Sequence, residues 1–170
     1  MKKIELSQTG AIHDVIQRID KGWMLVTAGT REKCNTMTAS WGGVGVLWHQ
    51  PMATIYVRPE RYTYELIEGS DYFSIGFFAP EHQKSLAFCG KESGRTVDKI
   101  AHCGFTIAAG QMGGVYFEEA DLALICKKRY RARIELANMI DMDPDRFYDD
   151  AHGSPHMMYM GEVVEVYTKE

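Results

Sequence analysis

The chain has no Cys-x-x-Cys pair and no apolar run near the roughly 18 residues a membrane span needs. The first absence removes the common zinc and dithiol-redox motifs. Cys34, Cys89, Cys103 and Cys126 stand far apart and are expected to be free thiols, three of them in apolar or helical surroundings. The second, with an N-terminus Met1-Lys-Lys-Ile-Glu-Leu6 that lacks the apolar core of a signal peptide, leads to the expectation of a cytoplasmic protein. Basic excess is also missing. The formal net charge is −4, so there is no electrostatic ground for a nucleic-acid or anionic-membrane partner. Repeats, low-complexity tracts and Pro/Ser linkers are lacking too, and the chain reads as one domain over residues 1–170. His152 and His156 could serve a metal only if both lay on one helix, and Gly153, Ser154 and Pro155 between them read as a loop, so no metal is expected.

What is present is the composition of a globular domain: 45% hydrophobic and 25% charged residues over a length sufficient for a proper core. The pattern predicts a short helix around residues 13–18 closed by Gly22, then strands over 23–28 and 34–41, a glycine-punctuated segment over 42–46, and a strand over 53–57. A helix over 62–68 precedes a strand over 72–77. Two short helices follow, at 81–89 and at 97–102 with Thr96 as candidate N-cap. Strands return at 105–109, 121–134 and 157–167, interrupted by a helical turn at 144–148. Strands outnumber helices and mostly lack full crossover helices between them, which favours an antiparallel barrel with peripheral helices over a doubly wound sheet.

The most informative stretch is Cys34-Asn-Thr-Met-Thr-Ala-Ser-Trp-Gly-Gly43. As a strand it places Asn35, Met37, Ala39 and Trp41 on one face and the hydroxyls of Thr36, Thr38 and Ser40 on the other. Such a row is ordinary on a solvated strand. Here a valine-rich strand precedes it and two glycines follow, so a planar ligand could approach the main chain closely and use the hydroxyls and amides. In the second stretch, Val57-Arg-Pro-Glu-Arg-Tyr-Thr-Tyr64, a strand runs into a helix. Arg58, Arg61 and Thr63 gather at the helix start, where unpaired N–H groups favour an anion. Either they hold a phosphate, or Thr63 caps the helix and the arginines pair with nearby acids.

Other patterns carry less. Gly42-Gly-Val-Gly-Val46 lacks the third glycine and the following helix of a dinucleotide fingerprint. Lys127, Arg129, Arg131 and Arg133 fall on one strand face and read as a solvated face balanced by Glu118, Glu119 and Asp121, with attraction of a nicotinamide cofactor's phosphates as the other reading. Trp41, Trp48 and Tyr56 could cover a planar ligand, although aromatics in strands usually belong to a core.

The order and spacing of Asn35-Thr-Met-Thr-Ala-Ser-Trp-Gly42, Pro51 to Thr63, Phe73-Ser-Ile-Gly76, Cys89-Gly-Lys-Glu-Ser-Gly94 with Asp98-Lys99, and His156-Met-Met-Tyr-Met-Gly-Glu162 resemble the flavin reductase-like proteins, including the flavoredoxins. The resemblance covers nearly the whole chain. It implies a mainly β fold, an antiparallel Greek-key split β-barrel with peripheral short helices, forming a homodimer that binds FMN noncovalently near the subunit interface. By the same resemblance the isoalloxazine lies against Asn35, Thr36, Met37, Thr38, Ala39, Ser40 and Trp41, and the phosphate falls to Arg58, Arg61 and Thr63. The loop residues Cys89, Gly90, Lys91, Ser93 and Gly94 are expected near the cofactor, with His156 touching it or the reductant. For Cys89 a core thiol is an equally open reading, and for His156 a buried hydrogen-bonded imidazole is the favoured one. The implied activity is transfer of hydride or electrons from NADH or NADPH through FMN to free flavin, ferric iron, oxygen or a partner protein. Because the cofactor carries the redox chemistry, no catalytic side chain is expected. The alternative is a noncatalytic electron carrier or flavin-binding module reduced by a partner protein.

Overall fold

A computed structural model of the chain describes residues 9–149 and 153–169. The N-terminal segment read above for a signal peptide and His152 of the histidine pair lie outside the described residues. Helix α1 (Ala11–Asp20) is followed by β1 (Met24–Gly29), β2 (Cys34–Ala39), β3 (Gly42–Leu47) and β4 (Gln50–Val57). Helix α2 (Tyr62–Glu68) leads to β5 (Tyr72–Phe77), and a 3-10 turn at Pro80–His82 runs into α3 (Gln83–Lys91). After α4 (Lys99–Cys103) come the short β6 (Ile107–Ala109) and β7 (Val115–Phe117), then the long β8 (Leu122–Arg133) and β9 (Met157–Thr168).

Among the described residues seven strands form one antiparallel sheet in the order β2-β1-β5-β8-β9-β4-β3, and β6 pairs with β7 alone. The two edge strands, β2 and β3, are consecutive in the chain and joined only by Ser40 and Trp41. A sheet whose first and last strands are two residues apart must curl until its edges meet at that corner. They meet without pairing, so the barrel is split and the sheet is not closed. The approach is tight. A methyl group at Gly42 would lie 2.8 Å from Cε of Met24 and 2.7 Å from the carbonyl oxygen of Thr54, and only glycine fits there.

The barrel interior holds Met24, Val26, Ile55, Val57, Phe73, Ile75 and Tyr159, closed by α2 through Ile67. A second, smaller core lies outside the barrel, where Leu25, Leu86, Cys89, Phe105 and Phe117 bury α3 and the β6–β7 hairpin against the other face of β1. Strand β1 is thus covered on both faces, which accounts for its continuous apolar run.

Several elements differ from the sequence-based expectation. The glycine-punctuated segment is a strand, paired with β4 from Gly42↔Ile55 to Leu47↔Gln50. Its hairpin turns at Trp48 and His49, both with positive φ (53° and 59°), a conformation usually left to Asn-Gly. Helix α3 runs through Gly90 to Lys91 rather than stopping at Cys89. Helix α4 starts two residues later than expected, because the Asp98 carboxylate accepts from the amide of Ala101 at 3.0 Å while the Thr96 hydroxyl donates to the Ser93 carbonyl. Phe105 is drawn into the second core, so β6 begins only at Ile107. The three-residue β7 was too short to leave a periodic signal. Thr63 lies inside α2 and caps nothing; the N-cap position is Arg61.

The basic face of β8 is balanced, but not by the expected acids. Arg129 bonds Glu162 on β9, Arg131 bonds Glu68 on α2, and Lys127 sits over the ring of Tyr72. Glu119 instead accepts the amide of Thr106, and Asp121 pairs with Lys169. A cross-strand acid on β9 and the acid at the end of α2 replaced acids that were near only in sequence. Among the described residues no helix is long and apolar enough to cross a membrane.

Candidate functional site: a cleft at the open corner of the barrel

At the corner where the sheet fails to close lies a cleft of about 230 Å³. Its lining comes from the end of β2 and the following link (Met37, Thr38, Ala39, Ser40, Trp41), the end of β4 and the residue after it (Tyr56, Arg58), Arg61 at the start of α2, and His156 just before β9. Strand β2 has a strand neighbour on one side only, so outward main-chain groups there are not consumed by a sheet ladder.

Eight of the residues expected to bind a cofactor therefore meet in one place, together with Tyr56. The others lie elsewhere. Asn35 and Thr63 are buried against each other, with Asn35 Nδ2 donating to Thr63 Oγ1 at 2.8 Å, and this bond fastens β2 to α2. Thr36 is sealed in the sheet, accepting from Thr27 Oγ1 at 2.9 Å and donating to the Val26 carbonyl. Cys89 is fully buried in the second core. Gly90 contributes its carbonyl to Arg61; Lys91, the last residue of α3, and Ser93 on the loop beyond are exposed. Gly94 packs so tightly on Asn35 that a methyl group there would lie 2.0 Å from Asn35 Oδ1.

The row of hydroxyls is consequently less open than strand alternation suggests. Thr36 and Thr38 both donate within the protein, Thr38 to the carbonyl of Leu86 in α3. Among the described residues the Ser40 hydroxyl has no partner, and Ser40 lines the cleft.

Two cations converge behind the cleft. Arg61 is half-buried, and its Nη2 donates to the carbonyls of Gly90 at 2.7 Å and Cys89 at 3.4 Å. Lys99 is only 3% exposed, and its Nζ donates to the carbonyls of Thr36 at 2.8 Å and Cys89 at 2.9 Å. Burial alone holds Arg61 below the usual guanidinium range. Burial, then the neighbouring Arg61, pushes Lys99 down to about 8. Among the described residues neither cation has a carboxylate in salt-bridge contact. Two positive groups share one carbonyl with no anion between them, an arrangement that favours a bound anion. Lys99 carried no advance signal, because a lysine in a short helix reads as surface. Arg58 also lines the cleft, but its Nη1 and Nη2 donate to the carbonyls of Ser154 and Phe147, both at 3.1 Å, binding the segment before β9 to the end of β4.

His156 is buried between Trp41, whose ring centroid is 5.1 Å away, and Tyr148. Burial, then Arg58, pushes its imidazole down to about 4, so it is neutral at ordinary pH. The thiols of Cys34 and Cys89 are pushed up by burial to about 11 and about 12, so neither is a ready nucleophile. Among the described residues no cluster of His, Cys, Asp or Glu could hold a metal ion.

Fold and site together define a split β-barrel with an aromatic-flanked, cation-backed cleft at its open corner. The flavin reductase like domain profile matches residues 16–170, and the chain belongs to that family. An uncharacterised protein of Aeropyrum pernix is 25% identical over 151 residues, covering 85% of this chain and 48% of that protein; the chain thus spans about half the length of the curated relative it matches. In fold it is similar to the flavoredoxin of Methanosarcina acetivorans (TM-score 0.70, 21% identity, covering 100% of this chain and 77% of that one). It is likewise similar to an FMN-binding protein of Thermus thermophilus with bound p-hydroxybenzaldehyde (TM-score 0.67, 22% identity, covering 87% and 71%).

Proposed function

We propose that the chain binds FMN in this cleft and moves hydride or electrons from NADH or NADPH to an acceptor: free flavin, ferric iron, oxygen or a partner protein. The observation that carries this reading is the pair of half-buried Arg61 and buried Lys99, neither in salt-bridge contact with a carboxylate among the described residues, beside the Met37–Trp41 edge. The donor set fits a phosphate at one end and a planar heteroaromatic group at the other. Arg61 holds the phosphate, with the Lys99 charge behind it. The Ser40 hydroxyl and the outward main chain of Met37–Trp41 donate to the polar edge of the ring system, while Trp41 and Tyr56 flank the cleft. Bound FMN supplies the hydride and electron chemistry. The neighbouring cations and donors favour accumulation of negative charge in the site, which raises the reduction potential.

A second copy of the chain is the proposed occupant of the apolar surface next to the cleft. Ile12 and Ile16 of α1, Val44 and Val46 of β3, and Trp41 are exposed there, Val46 to 79%. Ser40 and Trp41 line both this surface and the cleft, so an association there borders the ligand site. Sedimentation at twice 19.3 kDa, reverting to a monomer in Val46→Asp, supports a homodimer; a monomeric native protein removes it.

The same exposed surface favours a second reading, in which it docks a redox partner protein and the chain is an electron carrier without turnover of its own. One experiment separates these. The protein is loaded with FMN, desalted and examined by visible absorption, then mixed anaerobically with NADH or NADPH. A retained flavin spectrum that bleaches rapidly supports the enzyme; bleaching only with dithionite or a protein reductant supports the carrier. No retained spectrum and no fluorescence change on FMN titration would remove both.

A further inference from the structure

His156 is 8% exposed, lines the cleft, and has its Nδ1 3.1 Å from the Oη of Tyr148. Tyr148 lines no part of the cleft. Its ring stands edge-on to the imidazole at 5.6 Å and lies under the Arg58 guanidinium at 5.4 Å. Arg58 in turn holds the carbonyl of Phe147, the residue before Tyr148, and that of Ser154, two residues before His156. Trp41 tilts against the imidazole, with ring centroids 5.1 Å apart. The ring is therefore held between Trp41 and Tyr148, and what remains to be set is which nitrogen carries the proton.

The hydrogen-bond inventory decides it. Among the described residues Tyr148 Oη has no acceptor other than His156 Nδ1. The phenol is buried, and burial raises it above its ordinary value, so it keeps its proton. Were Nδ1 the donor, the phenolic proton would be left in a buried position without an acceptor, which is costly. With the hydroxyl donating to Nδ1, both groups are satisfied and the single N–H of the neutral ring falls on Nε2. Among the described residues Nε2 has no protein partner, and it is not a sealed unsatisfied atom. The charged groups near the imidazole are Arg58 and Glu60, and Glu60 is occupied by the amide of Ser154 at 3.0 Å.

We propose that Tyr148 is a positioning residue: by donating to Nδ1 it holds His156 in the Nε2–H tautomer, so that the cleft presents a neutral N–H donor to a carbonyl oxygen or ring nitrogen of a heteroaromatic ligand. The tautomer stands on the protein alone, and only the identity of the ligand rests on the FMN reading. A neutral donor adds direction without adding a further cation to a site that already holds Arg58 and Arg61.

The test is 15N NMR of the histidine rings in the full chain without ligand, with the His156 signals identified by their loss in His156→Gln. The native protein should show Nε2 protonated and Nδ1 as acceptor from neutral pH down to the titration of the ring. Tyr148→Phe should give a mixed or reversed tautomer. FMN titration gives an independent readout: Tyr148→Phe should weaken binding about fivefold, the loss of roughly one hydrogen bond. His156→Gln, whose amide offers an N–H without a tautomer choice, should make affinity insensitive to Tyr148→Phe. A native ring protonated on Nδ1, or an unchanged tautomer in Tyr148→Phe, overturns the proposal. If Tyr148→Phe does not fold, the native spectrum alone decides. Absence of FMN binding would remove the ligand assignment and leave the tautomer result standing.

Discussion

Arg61 and Gly90 are joined by a 2.7 Å hydrogen bond from Nη2 to the main-chain carbonyl, which ties the start of α2 to the last turn of α3 at the back of the cleft. The guanidinium is thereby aimed by a carbonyl, a neutral partner that leaves its charge uncompensated. Arg61→Ala should leave the fold intact and weaken FMN binding by about 10- to 100-fold, the range for a lost charge-assisted bond. Arg61→Lys should recover part of it. Fluorescence titration measures this, and an unchanged affinity in the folded Ala variant would remove the phosphate assignment.

Thr38 and Ser40 separate two roles that strand alternation gave to both. The Thr38 hydroxyl donates to Leu86, so Thr38→Val should lower stability by about 1 kcal/mol in urea unfolding with little effect on flavin potential. Ser40→Ala should leave stability almost unchanged and lower the two-electron potential by about 20 mV, equivalent to roughly one hydrogen bond to the reduced form. Spectroelectrochemical titration of the FMN-loaded variants checks this. The reverse pattern would show that Thr38, not Ser40, faces the ligand.

Trp48 and His49 occupy a hairpin turn with both φ values positive. Replacing the pair by Asn-Gly relieves two disfavoured conformations and should raise stability by about 1–2 kcal/mol, seen as a higher urea midpoint at constant m-value. A fall in stability would mean that the 58% exposed Trp48, edge-on to Tyr130, contributes more by packing than its backbone costs.

The depressed His156 titration makes stability depend on pH. Its value in the folded state, about 4, lies below the ordinary 6.5, so between these values the unfolded chain binds a proton that the folded chain does not. Stability from this group is complete above about 6.5 and is lost as pH falls toward 4, by up to about 3 kcal/mol. Because carboxylates also contribute at low pH, the measurement is a difference: the gap between native and His156→Gln unfolding free energies should narrow as pH falls through this window. A gap independent of pH would show that the imidazole titrates normally.

Much of the fold could be read from local pattern. The helix at Tyr62–Glu68 and the strand at Tyr72–Phe77 match the expected bounds, because caps, turns and apolar runs act over a few residues. The strand at Gly42–Leu47 was not legible. Its glycines have no β preference of their own, and it is held by pairing with β4 and by closeness to Met24. The site divides in the same way. Met37 to Trp41, Arg58, Arg61 and His156 carried chemistry that a sequence displays. That Asn35 and Thr63, 28 residues apart, are bonded to each other is displayed by neither stretch of sequence.

The sequence by itself determined the mainly β class, the family resemblance and the residue types from which a flavin site could be built, since propensity, periodicity and motif order are properties of the chain. Only the tertiary structure decided which polar groups remain open. It committed Thr36 and Thr38 to internal bonds, left Ser40 lining the cleft, and buried Lys99 behind Arg61. A hydroxyl or ammonium is available to a ligand only if no nearer protein group satisfies it. Its nearest partner, set by curling of the sheet and docking of α3 and α4 on β2, is absent from any local stretch of sequence.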